Sequence, residues 1–296
     1  MNLVTSLYNL LQHPENHLQK FQTVVRIIWW KVNALFFHFP LYYPLTSSLV
    51  CICRPESSYA SLVVYCHRPE PEVSALIEHF VTSGDVVIDV GANIGAISLL
   101  AASKRPKQVF AFEPDSRVYP YLVENIHINK LENVIRTYPI ALSNKNGRVT
   151  FTHSGTTETS HITHSSEAGK SVKTQTLDTF FIEQKLKRVQ LAKIDVEGAE
   201  MMVLQGAKKV LREQRIECLS LELNAGNYQY ETSHKEIIDF LQSSGYKILL
   251  FSQGKFTKME DFPSQDETIN LIAVKDFKTQ QKVQKAWNSY VAQSHL

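Results

Sequence analysis

The chain has 296 residues, enough for one large domain or two small ones. Apolar residues make up 44% and charged residues 20% of it, which excludes a mainly disordered chain, a collagen-like repeat and a coiled-coil rod. The formal net charge of +2 gives no electrostatic argument for a nucleic-acid partner. Because only 4 cysteines occur, we expect no disulfide scaffold and a reducing, cytoplasmic location.

Residues 1–68 form an apolar N-terminal extension. Residues 24–53 are rich in aliphatic and aromatic side chains, but Arg26 and Lys31 interrupt them and two prolines would break a helix. We therefore predict no membrane-spanning helix. Two interpretations stay open: a membrane-surface helix that gives peripheral membrane contact through residues 24–53, and a helix that packs on the main domain or on a second subunit. We favour packing, because surface-seeking helices are usually richer in Lys and Arg.

Three cysteines and a histidine near the end of this extension could suggest zinc. Cys51, Cys53, Cys66 and His67 have the right chemistry, but their spacing fits no common zinc site. We therefore expect buried free thiols and no metal at these positions.

Helix and strand patterns then alternate through residues 69–276, and a last helix lies in residues 277–296. Periodicity and breakers predict helices over 72–83, 95–103, 115–130 (with Asp115 or Ser116 as N-cap), 177–186, 199–213, 233–244 and 277–293. Strands are predicted over 85–90, 108–112, 133–138, 148–152, 189–194, 216–223, 246–251 and 268–274. The polar stretch 154–174 indicates a loop or an irregular hairpin. This alternation predicts an α/β fold whose mostly parallel sheet has helices on both faces.

In such sheets ligands bind outside the carboxyl ends of the strands. The first strand ends in Asp89 and a turn in which Gly91 leaves no side chain against a ligand, while Gly95 lets the next helix start close to the strand. Glu113 directly follows the second strand, where a carboxylate can accept hydrogen bonds from ribose hydroxyls. Asn93 takes the place of the second glycine of the dinucleotide fingerprint, which argues against NAD.

Further carboxylates follow the later strands. Asp195 and Glu197 come after the strand over 189–194, and Glu222 lies near the end of the next one. The simplest interpretation is that acidic residues favour the first turn of a helix. By topology, however, the five carboxylates at strand ends share one edge of the sheet, which suits a cationic or polyhydroxylated ligand or a divalent metal.

Six segments in order carry a resemblance to a known family: VVIDVGANIGAISLLAA, VFAFEPD, ENIHINKL, IALSNKNGRVTF, TLDTF and KIDVEGAEMMVLQGA. Together they resemble the FkbM family of S-adenosylmethionine-dependent methyltransferases. The resemblance covers residues 70–224, and KIDVEGAE is its most distinctive part. It implies a Rossmann-like class I methyltransferase fold in residues 69–276, with a seven-stranded, mostly parallel sheet in which residues 268–274 run antiparallel.

The resemblance also assigns roles to residues of this chain. It implies S-adenosyl-L-methionine as cofactor, and it puts Asp195 and Glu197 opposite the transferred methyl group. Asn125 would support the neighbouring loop or the cofactor. The other implied cofactor-binding residues are Asp89, Gly91, Asn93 and Gly95 for the methionine part, Glu113 for the ribose, and Ala141, Leu142 and Ser143 beside the adenine.

The function implied is O-methylation of a hydroxyl group on a glycan, a sugar or a small natural product by in-line displacement. Asp195, Glu197 and Glu222 are our candidates for the general base or for metal ligands. His161 and His164 are weaker candidates, since loops carry many polar residues without a role. The sequence leaves open whether a divalent metal takes part and how many subunits assemble.

Two other classes of function compete with this interpretation. One is an NAD-dependent enzyme on a similar sheet. The other is a non-catalytic or membrane-associated binding protein that keeps the fold.

Overall fold

The structure is a computed structural model that describes residues 3–153, 160–163, 170–252, 255–257 and 268–294. Its α-helices are α1 (Leu3–Gln12), α2 (Lys20–Val32), α3 (Ser58–Cys66), α4 (Pro71–His79), α5 (Ala96–Ala102), α6 (Tyr119–Ile128), α7 (Leu177–Glu183), α8 (Glu200–Gln205), α9 (Lys208–Arg212), α10 (His234–Ser243) and α11 (Phe277–Ser294). A π-helical turn, Asn33–Phe37, follows α2, and a 3-10 helix spans Ala225–Tyr230.

The strands are β1 (Leu41–Pro44), β2 (Val50–Cys53), β3 (Val86–Val90), β4 (Gln108–Phe112), β5 (Ile135–Tyr138), β6 (Ala141–Leu142), β7 (Gly147–His153), β8 (Ser160–Thr163), β9 (Lys170–Gln175), β10 (Val189–Ile194), β11 (Ile216–Leu223), β12 (Lys247–Ser252), β13 (Lys255–Thr257) and β14 (Ile269–Val274). The bounds of β4, β10 and β11 coincide with the predicted ones, because long apolar runs with sharp ends mark strands that are buried on both faces.

The main sheet has the strand order β13-β12-β14-β11-β10-β3-β4-β5. The strands from β11 to β5 are parallel, and β14 runs antiparallel to both of its neighbours. The predicted mostly parallel seven-stranded sheet with an antiparallel strand is confirmed, and β13 adds an eighth strand at the edge. The chain leaves β3 in one direction and β10 in the other, so the order reverses between these two strands, where α/β sheets bind ligands.

Each central strand sends alternate side chains to two separate cores. Val87 and Leu191 face the core formed with α3 to α6 and α11, whereas Ile88 and Ala192 face the core formed with α7 to α10. This alternation decides on which face of the sheet every polar residue of these strands lies.

The N-terminal extension packs on the first of these cores. Trp30 of α2 is buried in it, and its indole N–H donates a hydrogen bond of 2.9 Å to Oγ of Ser61 in α3. In the β1–β2 hairpin, the backbone N–H of Ile52 donates to Oδ1 of Asn125 at 2.6 Å. Among the described residues, no helix combines the length and the apolar character that crossing a membrane requires.

The helix predicted over 115–130 begins later than expected. It starts at Tyr119, with Pro120 in its first turn and Val118 as N-cap. Asp115 does not cap it: its carboxylate accepts the backbone N–H of Arg117 at 2.9 Å and forms an ion pair with the Arg117 guanidinium at 2.7 Å. The local side-chain contacts of Asp115 thus hold a turn, and proline sets the helix start.

The helix predicted over 199–213 is divided into α8 and α9 at Gly206 and Ala207. A Cβ on Gly206 would lie 2.0 Å from the Ser143 carbonyl oxygen, so the chain at this break lies directly against the segment after β6. The Asp178 carboxylate of α7 accepts the backbone N–H groups of Lys209 and Val210 at 3.0 and 2.9 Å. A long-range contact therefore begins a new helix there.

The stretch 154–174, predicted as a loop or an irregular hairpin, holds the strand β8 and most of β9, and the antiparallel pairing of β7 with β8 agrees with a hairpin. These strands lie in a second sheet of order β6-β9-β7-β8, in which β7 runs antiparallel to β8 and β9. Lys170, Ser171 and Lys173 of β9 are exposed. A strand with a largely solvated surface lacks the apolar run that marks a buried strand.

Phe180 of α7 is fully buried, and its ring lies 4.9 to 5.3 Å from the rings of Phe110, Phe112 and Tyr138. We expect Phe180→Ala to lower the free energy of unfolding by about 3–5 kcal/mol, because it leaves a cavity beneath the sheet. Ile182, in the same helix, is 66% exposed, and Ile182→Ala should change the value by less than about 0.5 kcal/mol. Urea denaturation of the two variants measures both changes in the free energy of unfolding. Equal losses of stability would contradict the assignment of Phe180 to the core.

Candidate active site

A cavity of about 270 Å³ opens at the carboxyl edge of β3, β4, β10 and β11. It lies at the point where the strand order reverses. Besides strand ends, its wall includes residues of the N-terminal extension and of the α3–α4 connection. The lining residues are Tyr59, Leu62, Pro69, Glu70, Val90, Gly91, Asn93, Phe112, Glu113, Pro114, Asp115, Val118, Ile140, Ala141, Leu142, Asp195, Val196, Glu197, Ala199 and Glu222.

The turn after β3 is held by close backbone contacts. Gly91 has a φ of +80°, and a Cβ there would lie 1.8 Å from the Asp195 carbonyl oxygen. Gly95 has a φ of +89°, and its Cβ would lie 2.6 Å from Cδ1 of Leu122. Glycine is required at both positions by the neighbouring chain and by the left-handed backbone. This brings the Gly91 turn against the end of β10.

Glu113 is fixed in the cavity wall by the backbone. Its Oε2 accepts the N–H of Asn93 at 2.9 Å, and its Oε1 accepts the N–H of Asp115 at 2.8 Å. Burial raises the pKa of this carboxyl to about 7, although both backbone N–H groups act to lower it. Each oxygen keeps a further lone pair, so the two oxygens can accept hydrogen bonds from the two hydroxyl groups of a ribose.

A buried lysine joins the catalytic strand to the N-terminal part. Nζ of Lys193 lies 3.0 Å from Oε1 of Glu70 and 3.0 Å from Oδ2 of Asp195, and the lysine side chain is 5% exposed. The hydroxyl of Tyr59 donates to the same Glu70 oxygen at 2.6 Å. Burial alone would lower the pKa of Lys193, but the charges of Asp195 and Glu70 outweigh it and raise the pKa well above its ordinary value. Lys193 is therefore a permanent cation.

Glu222 borders the same group of charges. Burial, followed by the negative charges of Asp195 and Glu70, raises the pKa of its carboxyl to about 9. Glu222 therefore carries a proton at neutral pH. Glu197 lines the cavity from a left-handed backbone position with a φ of +53°. Its Oε2 accepts a hydrogen bond of 3.2 Å from Nδ2 of Asn224.

Among the residues expected to bind cofactor, Gly91, Asn93, Glu113, Ala141 and Leu142 line the cavity. All three residues proposed for catalysis line it too: Asp195, Glu197 and Glu222.

The other expected cofactor residues lie behind the wall. Asp89 is fully buried; its Oδ2 accepts the Ser98 hydroxyl at 2.6 Å, and Oδ1 has no hydrogen-bond partner in the described part of the chain. Asn125 is also buried: its Nδ2 donates to the Ile94 carbonyl at 2.9 Å. It thus supports the loop after β3, one of its two implied roles.

Ser143 and Gly95 also lie behind the residues that line the cavity. Ser143 is fully buried, and its backbone N–H donates to the Gln175 carbonyl at 3.0 Å in the second sheet. Gly95 packs against α6 through Leu122. His161 lies in β8, and His164 falls outside the described residues.

Three residues of the site escaped the sequence prediction: Tyr59, Glu70 and Lys193. Lys193 carried a usable signal, since it is a charged residue inside the apolar strand VQLAKI, two positions before Asp195. In a strand this spacing puts both side chains on one face. Tyr59 and Glu70 carried none, because their position depends on how the extension folds back.

In the described part of the chain, no group of three or more His, Cys, Asp or Glu side chains is arranged to hold a metal ion. Cys51, Cys53 and Cys66 are buried free thiols. The ring of His67 instead accepts a hydrogen bond from the Arg26 guanidinium through Nε2, and its Nδ1 forms a hydrogen bond with the Tyr43 hydroxyl.

Comparison with known proteins identifies the family. A sequence model of the methyltransferase FkbM domain matches residues 89–248, which is more than half of the chain. The match begins at the end of β3 and extends into β12, so it includes every strand end that lines the cavity.

Two curated relatives are methyltransferases by name. The hexuronic acid methyltransferase AglP of Haloferax volcanii is 29% identical over 159 residues, which are 54% of this chain and 64% of AglP. The 2-O-methyltransferase NoeI of Sinorhizobium fredii is 31% identical over 217 residues, which are 65% of this chain and 81% of NoeI. The chain thus spans just under two thirds of the length of AglP.

A solved structure is also similar. The crystal structure of a methyltransferase FkbM from Methylobacillus flagellatus aligns with a TM-score of 0.46 at 16% identity. The alignment covers 72% of this chain and 52% of that one.

Replacing the buried lysine should test its place in the site. We expect Lys193→Met to lower the free energy of unfolding by about 3 kcal/mol or more at neutral pH, because it leaves the Glu70 and Asp195 carboxylates without their cation. Lys173→Met is the matched control, since Lys173 is an exposed lysine of β9 and should change the value by less than about 0.5 kcal/mol. Urea denaturation decides; a Lys193 variant as stable as the control would contradict the ion-pair geometry.

Proposed function

This chain belongs to the FkbM family of methyltransferases, and from that membership we propose that it transfers a methyl group from S-adenosyl-L-methionine to a hydroxyl oxygen of a sugar or a small hydroxylated molecule. The observation that carries the proposal is the cavity at the carboxyl edge of the parallel strands, where Glu113, Asp195 and Glu222 converge. The negative charge of Asp195 suits a cationic ligand, and the oxygens of all three side chains can form hydrogen bonds with hydroxyl groups.

The residues present fit this cofactor. Glu113, anchored by two backbone N–H groups, has free lone pairs for the ribose hydroxyls. The turn that contains Gly91 and Asn93 would hold the methionine part, and Ala141 and Leu142 would lie beside the adenine. When bound, the cofactor supplies a methyl group activated by a positively charged sulfur.

The chain's own task is to place an acceptor hydroxyl in line with that methyl group and to take its proton. We assign the base to Asp195, whose carboxylate lines the cavity and is held 3.0 Å from the Lys193 ammonium. As the oxygen–carbon bond forms and the carbon–sulfur bond breaks, the hydroxyl proton passes to this carboxylate. Glu222, protonated at neutral pH, is better suited to hydrogen-bond the acceptor. Glu197 is the second candidate base.

The name of one relative favours a sugar acceptor, and the name of another favours transfer to an oxygen atom. AglP is named for hexuronic acid and NoeI for 2-O-methylation, and both are about 30% identical to this chain. The cavity supports the same substrate class, because carboxylates and a tyrosine hydroxyl, here Tyr59, are hydrogen-bonding partners for sugar hydroxyls.

The function is tested in two steps. Isothermal titration should show binding of S-adenosylmethionine and of its demethylated product, and no binding of NAD. A transfer assay with methyl-labelled cofactor should then be run against hexuronic acids, neutral sugars and non-sugar alcohols. Failure to bind either nucleoside would overturn the proposal, whereas binding with transfer to non-sugar alcohols alone would overturn the sugar assignment.

Asp195→Ala should nearly abolish transfer, with a loss in kcat of about 10²–10⁴, because the acceptor keeps its proton. Asp195→Asn should lower kcat by a similar factor. Asp239→Ala is the control: this exposed aspartate of α10 pairs with Lys235 on the surface, and its removal should leave kcat unchanged. Retained activity in a folded Asp195 variant would refute the assignment of the base.

The pKa of Glu222 predicts a pH-dependent preference for the cationic cofactor. Because this pKa is raised to about 9, the carboxyl loses its proton as the pH rises from 7 to above 9, and the cavity becomes more negative. The affinity for S-adenosylmethionine, relative to its uncharged-sulfur product, should therefore rise by about tenfold over this range.

Titration calorimetry of both ligands at several pH values measures this ratio of affinities. Groups that ionise in the same way in both ligands change both affinities equally, so they leave the ratio unchanged. Glu222→Gln should keep the ratio flat above about pH 8, where Glu113, whose pKa is about 7, is already ionised. A wild-type ratio that is itself constant would show that Glu222 does not charge near the bound sulfur.

A further inference from the structure

Helix α2 has two opposite faces of unusual character. Its inner face, with Thr23, Ile27 and Trp30, is buried on the domain. Its outer face and the turn that follows are apolar and exposed; Phe21, for example, is 81% exposed. We call this surface the aromatic face; its residues are Phe21, Val25, Ile28, Trp29, Val32, Leu35, Phe36, Phe37 and Phe39.

The exposure is a consequence of a well-fixed helix orientation. Positions 21, 25, 28, 29 and 32 follow the spacing of one helix side. The opposite side is tied down by polar contacts. Nη2 of Arg26 donates to Oδ1 of Asn16 and to the Tyr65 carbonyl, both at 2.8 Å, and Trp30 donates to Ser61. These bonds, buried or partly buried, cannot form if the helix turns its aromatic face inward.

The segment that carries this face has charges of one sign only. Residues 16–55 contain no Asp or Glu, whereas Lys20, Arg26, Lys31 and Arg54 lie among them. Lys20 and Lys31 are exposed at the borders of the aromatic face. Aromatic and aliphatic side chains flanked by lysines are the composition that lies in the boundary between lipid headgroups and acyl chains.

We propose that the aromatic face docks the chain onto the surface of a bilayer that contains anionic lipids. The helix lies in the plane of the interface, with Phe21, Ile28 and Trp29 among the acyl chains and Lys20 and Lys31 at the phosphate groups. A second copy of the chain fits less well, because a twofold contact through this face would bring its lysines together without a carboxylate from residues 16–55.

Docking would also bring the cavity to the membrane. Helix α3 packs on α2 and supplies Tyr59 and Leu62 to the cavity wall. The helix that lies in the interface is therefore in direct contact with an element of the site. This arrangement places the site beside the bilayer, whatever acceptor it takes.

The test is sedimentation of the full chain with two kinds of vesicle, phosphatidylcholine alone and an equal mixture of phosphatidylcholine and phosphatidylglycerol. We expect binding to the mixed vesicles at least about tenfold stronger than to the neutral ones, and weaker binding at high salt. The double variant Ile28→Glu/Trp29→Glu should bind the mixed vesicles more weakly than the wild type does, by a factor of about ten or more.

Ile182→Glu is the matched control, because Ile182 is an exposed isoleucine on α7, away from the aromatic face, and should bind as the wild type does. Equal thermal melts of the three proteins show that the helix is intact. The proposal is overturned if the wild type does not sediment with mixed vesicles, or if the double variant binds equally well. If light scattering shows a dimer that Ile28→Glu dissociates, and the chain does not bind vesicles, the aromatic face instead contacts a second copy of the chain.

Discussion

The contact on which this structure depends is the buried ammonium group of Lys193 between the carboxylates of Glu70 and Asp195. It joins two parts of the molecule that lie far apart in the sequence: the connection between α3 and α4, and the end of β10 with the turn that follows it. A buried ion pair is costly to desolvate and is worth keeping only when its geometry and additional hydrogen bonds compensate. Here the hydroxyl of Tyr59 supplies one such bond to Glu70. The same contact fixes the position of the carboxylate to which we assign the base.

The sheet itself gathers these charges. Since side chains alternate along a strand, Asp89 of β3, Lys193 of β10 and Glu222 of β11 lie on one face, with Asp89 and Lys193 directly paired in register. Burial, followed by the negative charges of Asp195 and Glu70, raises the pKa of Glu222 to about 9. A site that is short of positive charge when empty is one that a cationic ligand stabilises. The proposed preference for a charged cofactor depends on the same carboxylates that help to raise the pKa of Glu222.

The N-terminal extension is part of this site as well as a surface of its own. Its inner side completes the core through Trp30 and supplies Tyr59 to the cavity wall. Its outer side carries the aromatic face. An element with one face in the core and one apolar face in solvent needs a partner for the second face. The sequence showed only that this stretch is apolar, and it favoured packing over a membrane surface because the stretch holds few cations. The structure shows packing on one side only.

The sequence by itself determined the alternation of helix and strand, the bounds of β4, β10 and β11, and the residues at the strand ends, because these follow from local periodicity and from the carboxyl-edge rule of parallel sheets. Tertiary structure decided which of those residues reach the cavity. Asp89, Gly95, Asn125 and Ser143 lie in or next to the predicted segments, yet they stand behind the cavity lining, since neighbouring chain segments bond or pack against them. It also decided the division of the helix at Gly206, where the chain meets Ser143, and the pairing of β8 and β9 with β7. Each of these depends on contacts between residues distant in sequence, which no local pattern records.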